Sequence, residues 1–102
     1  MIIRFVQSGG LMGLTKTCSF DTSAQPGDEA KELERLVADC RLSGETRVRS
    51  EKGRDLQEYE VTVVEGGKTH VLDCDDGTIP AVAKPLIQFL KKHARPVPPG
   101  GT

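Results

Sequence analysis

Tyr59-Glu60-Val61-Thr62-Val63-Val64-Glu65-Gly66-Gly67-Lys68-Thr69-His70-Val71-Leu72-Asp73-Cys74 decides the fold of this chain. Two β-rich runs flank a Gly-Gly pair, and adjacent glycines suit the positive φ angles of a two-residue hairpin turn. Pairing Glu65 with Lys68 fixes every other pair, because side chains alternate between faces with period two. Val63 then faces His70, Val61 faces Leu72 and Tyr59 faces Cys74, on the expected core side. The other side pairs Val64 with Thr69, Thr62 with Val71 and Glu60 with Asp73. Two carboxylates facing each other would repel if buried, so that end is expected to see solvent.

Outward from this hairpin, residues 2–7 are short and β-branched and stop at Ser8-Gly9-Gly10, which reads as a strand. Residues 14–20 place Leu14, Cys18 and Phe20 on one face and Thr15, Thr17 and Ser19 on the other, with Lys16 breaking the pattern. These two runs form a second antiparallel hairpin. Residues 26–40 switch to helical spacing, with Ala30, Leu33, Leu36, Val37 and Cys40 on one stripe. Pro26 suits the first turn, and Asp28 and Glu29 complement the positive end of the helix dipole. Residues 41–56 are polar and glycine-punctuated, the pattern of a surface loop.

A second helix is expected over 80–94, with Ile79, Val82, Leu86, Phe89, Leu90 and His93 turned inward. Pro85 lacks an amide donor and should bend or restart it, and Pro96 ends it. Lys91, Lys92 and Arg95 complement its C-terminal dipole. The order strand-strand-helix-strand-strand-helix predicts an α+β fold, a four-stranded antiparallel sheet with two helices packed on one face. It forms one domain over 1–95, followed over 96–102 by a Pro/Gly-rich tail expected to be disordered.

A length of 102 residues supports a single core. The 14 basic and 15 acidic residues interleave to a net charge of −1, which gives no electrostatic footprint for nucleic acid. No apolar run approaches a membrane span, and Met1-Ile2-Ile3-Arg4-Phe5 lacks a signal-peptide layout. Cys18, Cys40 and Cys74 are odd in number and widely spaced, unlike a disulfide framework or a zinc site. Reduced, buried thiols in a cytoplasmic protein are expected, with neither nucleic acid nor membrane as partner.

Several stretches carry the residue types of a chemical site without its pattern. From Gly10 to Thr17 the chain departs from a phosphate-binding loop at Thr15, and a strand follows where a helix is needed. Asp73, Asp75 and Asp76 gather three carboxylates, but the twelfth position of a calcium loop falls on Lys84 instead of Glu. That stretch reads as a solvated turn, with Asp76 or Thr78 capping the next helix. His70 and His93 fall on apolar faces, and the acidic neighbours of Cys74 disfavour a thiolate. These readings predict no catalytic residue, no metal site and no cofactor.

What remains is Ser8-Gly9-Gly10-Leu11-Met12-Gly13. Its three glycines let another surface come close to the main chain. Leu11 and Met12 are large and apolar, where a turn usually carries polar residues. Two readings stand: the pair folds back onto the core as a hairpin connection, or it is offered to a partner.

The succession Ile3-Arg4-Phe5, Ser8-Gly9-Gly10 and Gly13 resembles the start of the emfourin family, small bacterial protein inhibitors of protealysin and other thermolysin-like metallopeptidases. The resemblance continues through Glu32-Leu33, Leu36-Val37 and Tyr59-Glu60-Val61-Thr62-Val63. It ends with His70-Val71, Asp76-Gly77, Pro80, Leu86-Ile87 and Leu90, covering about residues 2–95. It implies a non-catalytic cytoplasmic protein, monomeric when free, that blocks a thermolysin-like zinc metallopeptidase usually encoded beside it. Such peptidases cleave before large apolar residues. The implied protease-binding residues are therefore Ser8, Gly9, Gly10, Leu11, Met12 and Gly13, with Leu11 or Met12 filling the apolar pocket next to zinc.

If the first helix returns the chain to the glycine end, the third strand starts there and the fourth finishes there. Asp75, Asp76, Gly77 and Thr78 then join the same edge, with a carboxylate available to the zinc or to an arginine of the cleft. Residues 41–55 are more polar and charged than the family pattern, which bears on target choice. The alternative function is a non-catalytic adaptor or small assembly subunit. A small-ligand module fits less well, since a filled two-layer core leaves little room for a pocket.

Overall fold

The computed structural model describes residues 1–9, 14–48, 50 and 56–97. Strands β4 (Gln57–Glu65) and β5 (Lys68–Asp75) form the central hairpin, with every pair in the expected register from Glu65 opposite Lys68 to Tyr59 opposite Cys74. Gly66 and Gly67 take φ angles of 58° and 78°, the left-handed pair that this turn requires. On its other side β4 pairs antiparallel with β1 (Ile2–Gly9), which pairs in turn with β2 (Lys16–Asp21). Phe5 sits between Cys18 and Val61 in this register.

All the buried apolar side chains of the sheet lie on one face. Ile3 and Phe5 of β1, Tyr59, Val61 and Val63 of β4, and Leu72 and Cys74 of β5 join a single core with both helices. Helix α1 (Asp28–Cys40) contributes Leu33, Leu36, Val37 and Cys40, as its periodicity predicts. Helix α2 (Lys84–His93) contributes Leu86, Ile87 and Leu90. Fully burying one such side chain stabilises the fold by about 2 kcal/mol. Pro85 does restart the helix: a 3-10 turn at Ala81–Ala83 precedes it, and the proline sits in the first turn of α2, where no amide donor is needed. The tighter turn changes the phase of the inward stripe. Ala83 and Ile87 are therefore buried, while Val82, expected inside, is 55% exposed.

The sheet has six strands and is mixed, where four antiparallel strands were expected; their order is β3-β5-β4-β1-β2-β6. The added β3 (Glu45–Arg47) lies parallel to β5, inside the segment whose composition reads as a loop. Three polar residues carry no alternating apolar signal, and tertiary hydrogen bonds hold them instead. The Gly44 N–H donates to His70 Nδ1 at 2.9 Å, and the Val71 N–H donates to the Gly44 carbonyl at 2.9 Å.

This strand also changes the environment of the Glu60–Asp73 pair. Asp73 is only 5% exposed, contrary to the expectation of a solvated end. Arg47 lies opposite it in register, and one guanidinium nitrogen stands 2.7 Å from Asp73 and 3.7 Å from Glu60. A cation placed between the two carboxylates removes the repulsion that argued for solvent.

At the far edge, β6 (Arg95–Pro96) pairs with Lys16 and Thr17. Proline is tolerated there because an edge strand can spare an amide donor. The Val97 N–H donates to the Thr15 carbonyl at 2.9 Å, one residue past β6. The rest of the expected tail, 98–102, lies outside the described residues. Leu14 precedes β2 and is 52% exposed, while Cys18 and Phe20, grouped with it by the alternation, are partly buried against the core.

Candidate functional site

Strand pairing decides which loops meet. Ser8 and Gly9 end β1 opposite Glu58 and Gln57, and β5 ends at Asp75, also opposite Glu58. Ser8 and Gly9 therefore share one end of the sheet with Asp75, Asp76, Gly77 and Thr78, two strand spacings or about 10 Å away. Gly10, Leu11, Met12 and Gly13 lie outside the described residues.

Gly9 is required where it stands. Its φ is +89°, and a Cβ there would lie 2.9 Å from the Leu56 carbonyl oxygen. Gly9→Ala is expected to cost about 2 kcal/mol and to lower the melting temperature by about 10 °C. Thermal unfolding followed by circular dichroism checks this, and an unchanged midpoint would contradict it.

The 75–78 turn is bound together by its own carboxylates. Asp75 is 4% exposed; its Oδ1 accepts the Gly77 N–H at 2.9 Å and its Oδ2 accepts the Ser50 N–H at 2.6 Å. The Asp75 N–H donates to Thr78 Oγ1 at 3.0 Å, and the Thr78 hydroxyl donates to the Val48 carbonyl at 2.7 Å. Asp76 fastens the turn to β4: its N–H donates to the Gln57 carbonyl at 3.1 Å and its Oδ2 accepts the Gln57 N–H at 3.2 Å. Its Oδ1 accepts the Tyr59 hydroxyl. Gln57 also links to β1, where its Oε1 accepts the Gln7 amide N–H at 3.0 Å.

Asp75 is thus turned inward, against the expectation of a carboxylate offered to a partner. Asp76 keeps an exposed side chain. Neither Asp76 nor Thr78 caps a helix: Pro80 is the N-cap of the 3-10 turn, which has no side-chain cap.

Tyr59 anchors this frame from the core. Its ring stacks on Phe5 at 6.1 Å, and Lys91 Nζ lies 5.4 Å from its centroid. Burial, then the hydrogen bond to Asp76, raises the phenol above its ordinary 10.0. Burial likewise pushes the Cys18 thiol up from 9.0 to about 11. As pH rises past 9.0, the folded state therefore holds protons that the unfolded chain releases, and stability falls; below 9.0 these two groups contribute no pH dependence. Tyr59 is the single tyrosine of the chain, so phenolate absorbance reports it alone. No ionisation is expected near pH 10, only a rise at higher pH together with unfolding. Reversible titration of the folded protein near pH 10 would contradict this.

The histidines serve packing and bonding. His70 accepts the Gly44 N–H, while His93 stands edge-on to Phe20 at 5.3 Å and 3.8 Å from Glu29. All three cysteines are free thiols, Cys40 and Cys74 buried and Cys18 half-buried. What the 75–78 end of the sheet shows is backbone tied to side chains by hydrogen bonds.

A family model described as Emfourin matches residues 5–91. The chain belongs to the emfourin family. Membership implies a protease-inhibitor role and suggests a metallopeptidase as partner. Comparison with curated proteins and with solved structures found no match. In this emfourin the matched region runs from the middle of β1 into α2 and contains both Ser8-Gly9 and the 75–78 turn. Residues that support the edge but escaped the sequence reading are Gln7, Val48, Ser50, Gln57 and the Tyr59 hydroxyl. Asp75-Asp76-Gly77-Thr78 carries an Asx-turn signature that accounts for the Gly77 N–H donating to Asp75 Oδ1 but gives no sign of the burial of Asp75. For the others no local signal exists, since their partners lie at least 17 residues away.

Proposed function

We propose that this emfourin inhibits a thermolysin-like zinc metallopeptidase by seating residues 8–13 in the active-site cleft, with the 75–78 turn against the cleft wall. The protein acts as a monomer in the bacterial cytoplasm and performs no catalysis of its own. The observation that carries this reading is the meeting of Ser8 and Gly9 with the 75–78 turn at one end of the sheet, on a frame of hydrogen bonds. Leu11 or Met12 fills the apolar pocket beside the zinc, and the glycines let the backbone pair with the cleft edge as a substrate strand does. A loop rooted in β1 and β2 loses less entropy on binding than a free peptide, which is a source of affinity.

Occupation of the cleft makes inhibition competitive. The apparent inhibition constant against a thermolysin-like peptidase is expected to rise linearly with the concentration of a peptide substrate. A constant independent of substrate would place the contact away from the cleft and overturn this reading.

A further inference from the structure

Large apolar side chains left exposed among the described residues include Leu14 at 52% and Val48 at 43%. Leu14 comes just before β2 and Val48 just after β3, and β3 runs parallel to β5, so both stand at the end of the sheet that holds Ser8 and Gly9. In the strand order they flank Ser8 and Gly9 on opposite sides, four strand spacings or about 19 Å apart. Hydrogen bonds tie Val48 itself and the residue after Leu14 to neighbouring elements. The Val48 N–H donates to the Asp73 carbonyl at 2.7 Å and its carbonyl accepts the Thr78 hydroxyl, while Leu14 adjoins Thr15, whose carbonyl accepts the Val97 N–H.

A lone exposed apolar residue needs no explanation. Two of them, one at either side of the edge that carries Ser8 and Gly9, form a pattern. A stable inhibitor interface covers about 800 Å² on each partner, a patch about 16 Å in radius. Residues 8–13 cannot fill that area alone, and Leu14 and Val48 both fall within it.

We propose that Val48 and Leu14 are specificity-determining contacts of this emfourin, each packing on apolar surface of the peptidase outside the zinc pocket, one on each side of the cleft. This rests on the inhibitory reading given above.

The test compares inhibition constants and dissociation rates of Val48→Asp, Leu14→Asp and the milder Val48→Thr against a thermolysin-like peptidase, with melting temperatures measured alongside. Ile2→Thr, at the opposite end of the sheet, is the control. Each Asp variant is expected to weaken inhibition about tenfold through faster dissociation. Val48→Thr should weaken it in the same direction, and Ile2→Thr should match the parent. Parental constants in the two Asp variants, or in Val48→Thr should the Asp variant unfold, overturn this inference alone. A parent protein that inhibits no such peptidase overturns the inhibitory reading and this inference with it.

Discussion

Exchanging both Leu11 and Met12 for Asp is expected to raise the inhibition constant about a thousandfold while the melting temperature stays at the parental value. Whichever of the two enters the apolar pocket gains about 2 kcal/mol there, and a carboxylate in its place adds a desolvation penalty of about 2 kcal/mol; about 4 kcal/mol together corresponds to a factor of about 10³. The measurement also separates the two readings that the sequence leaves open. If Leu11 and Met12 instead cover the core, the double variant loses stability first, and any surviving folded fraction inhibits like the parent. Unchanged inhibition in a stably folded variant would remove the apolar anchor from the mechanism.

The second large effect concerns the frame beneath that loop. Asp75→Ala is expected to destabilise the protein by about 3 kcal/mol, because it removes a buried charged acceptor from the N–H groups of Gly77 and Ser50. In a domain whose whole stability is about 5–10 kcal/mol, that is a major fraction. Asp75→Asn keeps one acceptor oxygen and should lose less. Inhibition should weaken in both, since the 75–78 turn, the Val48 carbonyl and Ser50 are joined through Asp75 and Thr78. Urea unfolding measures the loss; a change under about 1 kcal/mol for Asp75→Ala would mean that water replaces the carboxylate without penalty.

Much of the fold was legible because its decisive signals are local. Gly66-Gly67 fixes a turn, the turn fixes the register, and the register assigns Tyr59, Val61 and Leu72 to the core without any tertiary knowledge. The stripe of α1 is legible for the same reason, and so are Leu86 and Leu90 of α2, while the 3-10 turn before Pro85 shifts the phase that exposes Val82 and buries Ile87. What was not legible depends on distant partners. Glu45–Arg47 becomes a strand only because β5 offers an edge and His70 accepts the Gly44 amide. Asp73 is buried opposite Glu60 only because Arg47 arrives from that added strand.

The candidate site divides along the same line. Strand directions alone bring Ser8 and Gly9 to the end that holds Asp75 and Thr78, and the structure has them there. The role of each carboxylate could not be read in the same way. Adjacent Asp75 and Asp76 look alike in sequence, yet one closes its own turn and the other clasps Gln57 and Tyr59 on β4. The first is inaccessible to a partner and the second is exposed.

The most direct measurement is a titration of the purified protein into a fixed amount of a thermolysin-like peptidase, with residual activity followed over time and repeated with added zinc. Loss of activity that ends at one inhibitor per enzyme and survives the added zinc is the expected result, since a blocked cleft is indifferent to metal supply. Full retained activity of thermolysin and of other thermolysin-like peptidases would contradict the inhibitory function. A stable complex formed without loss of activity would turn the function to that of an adaptor.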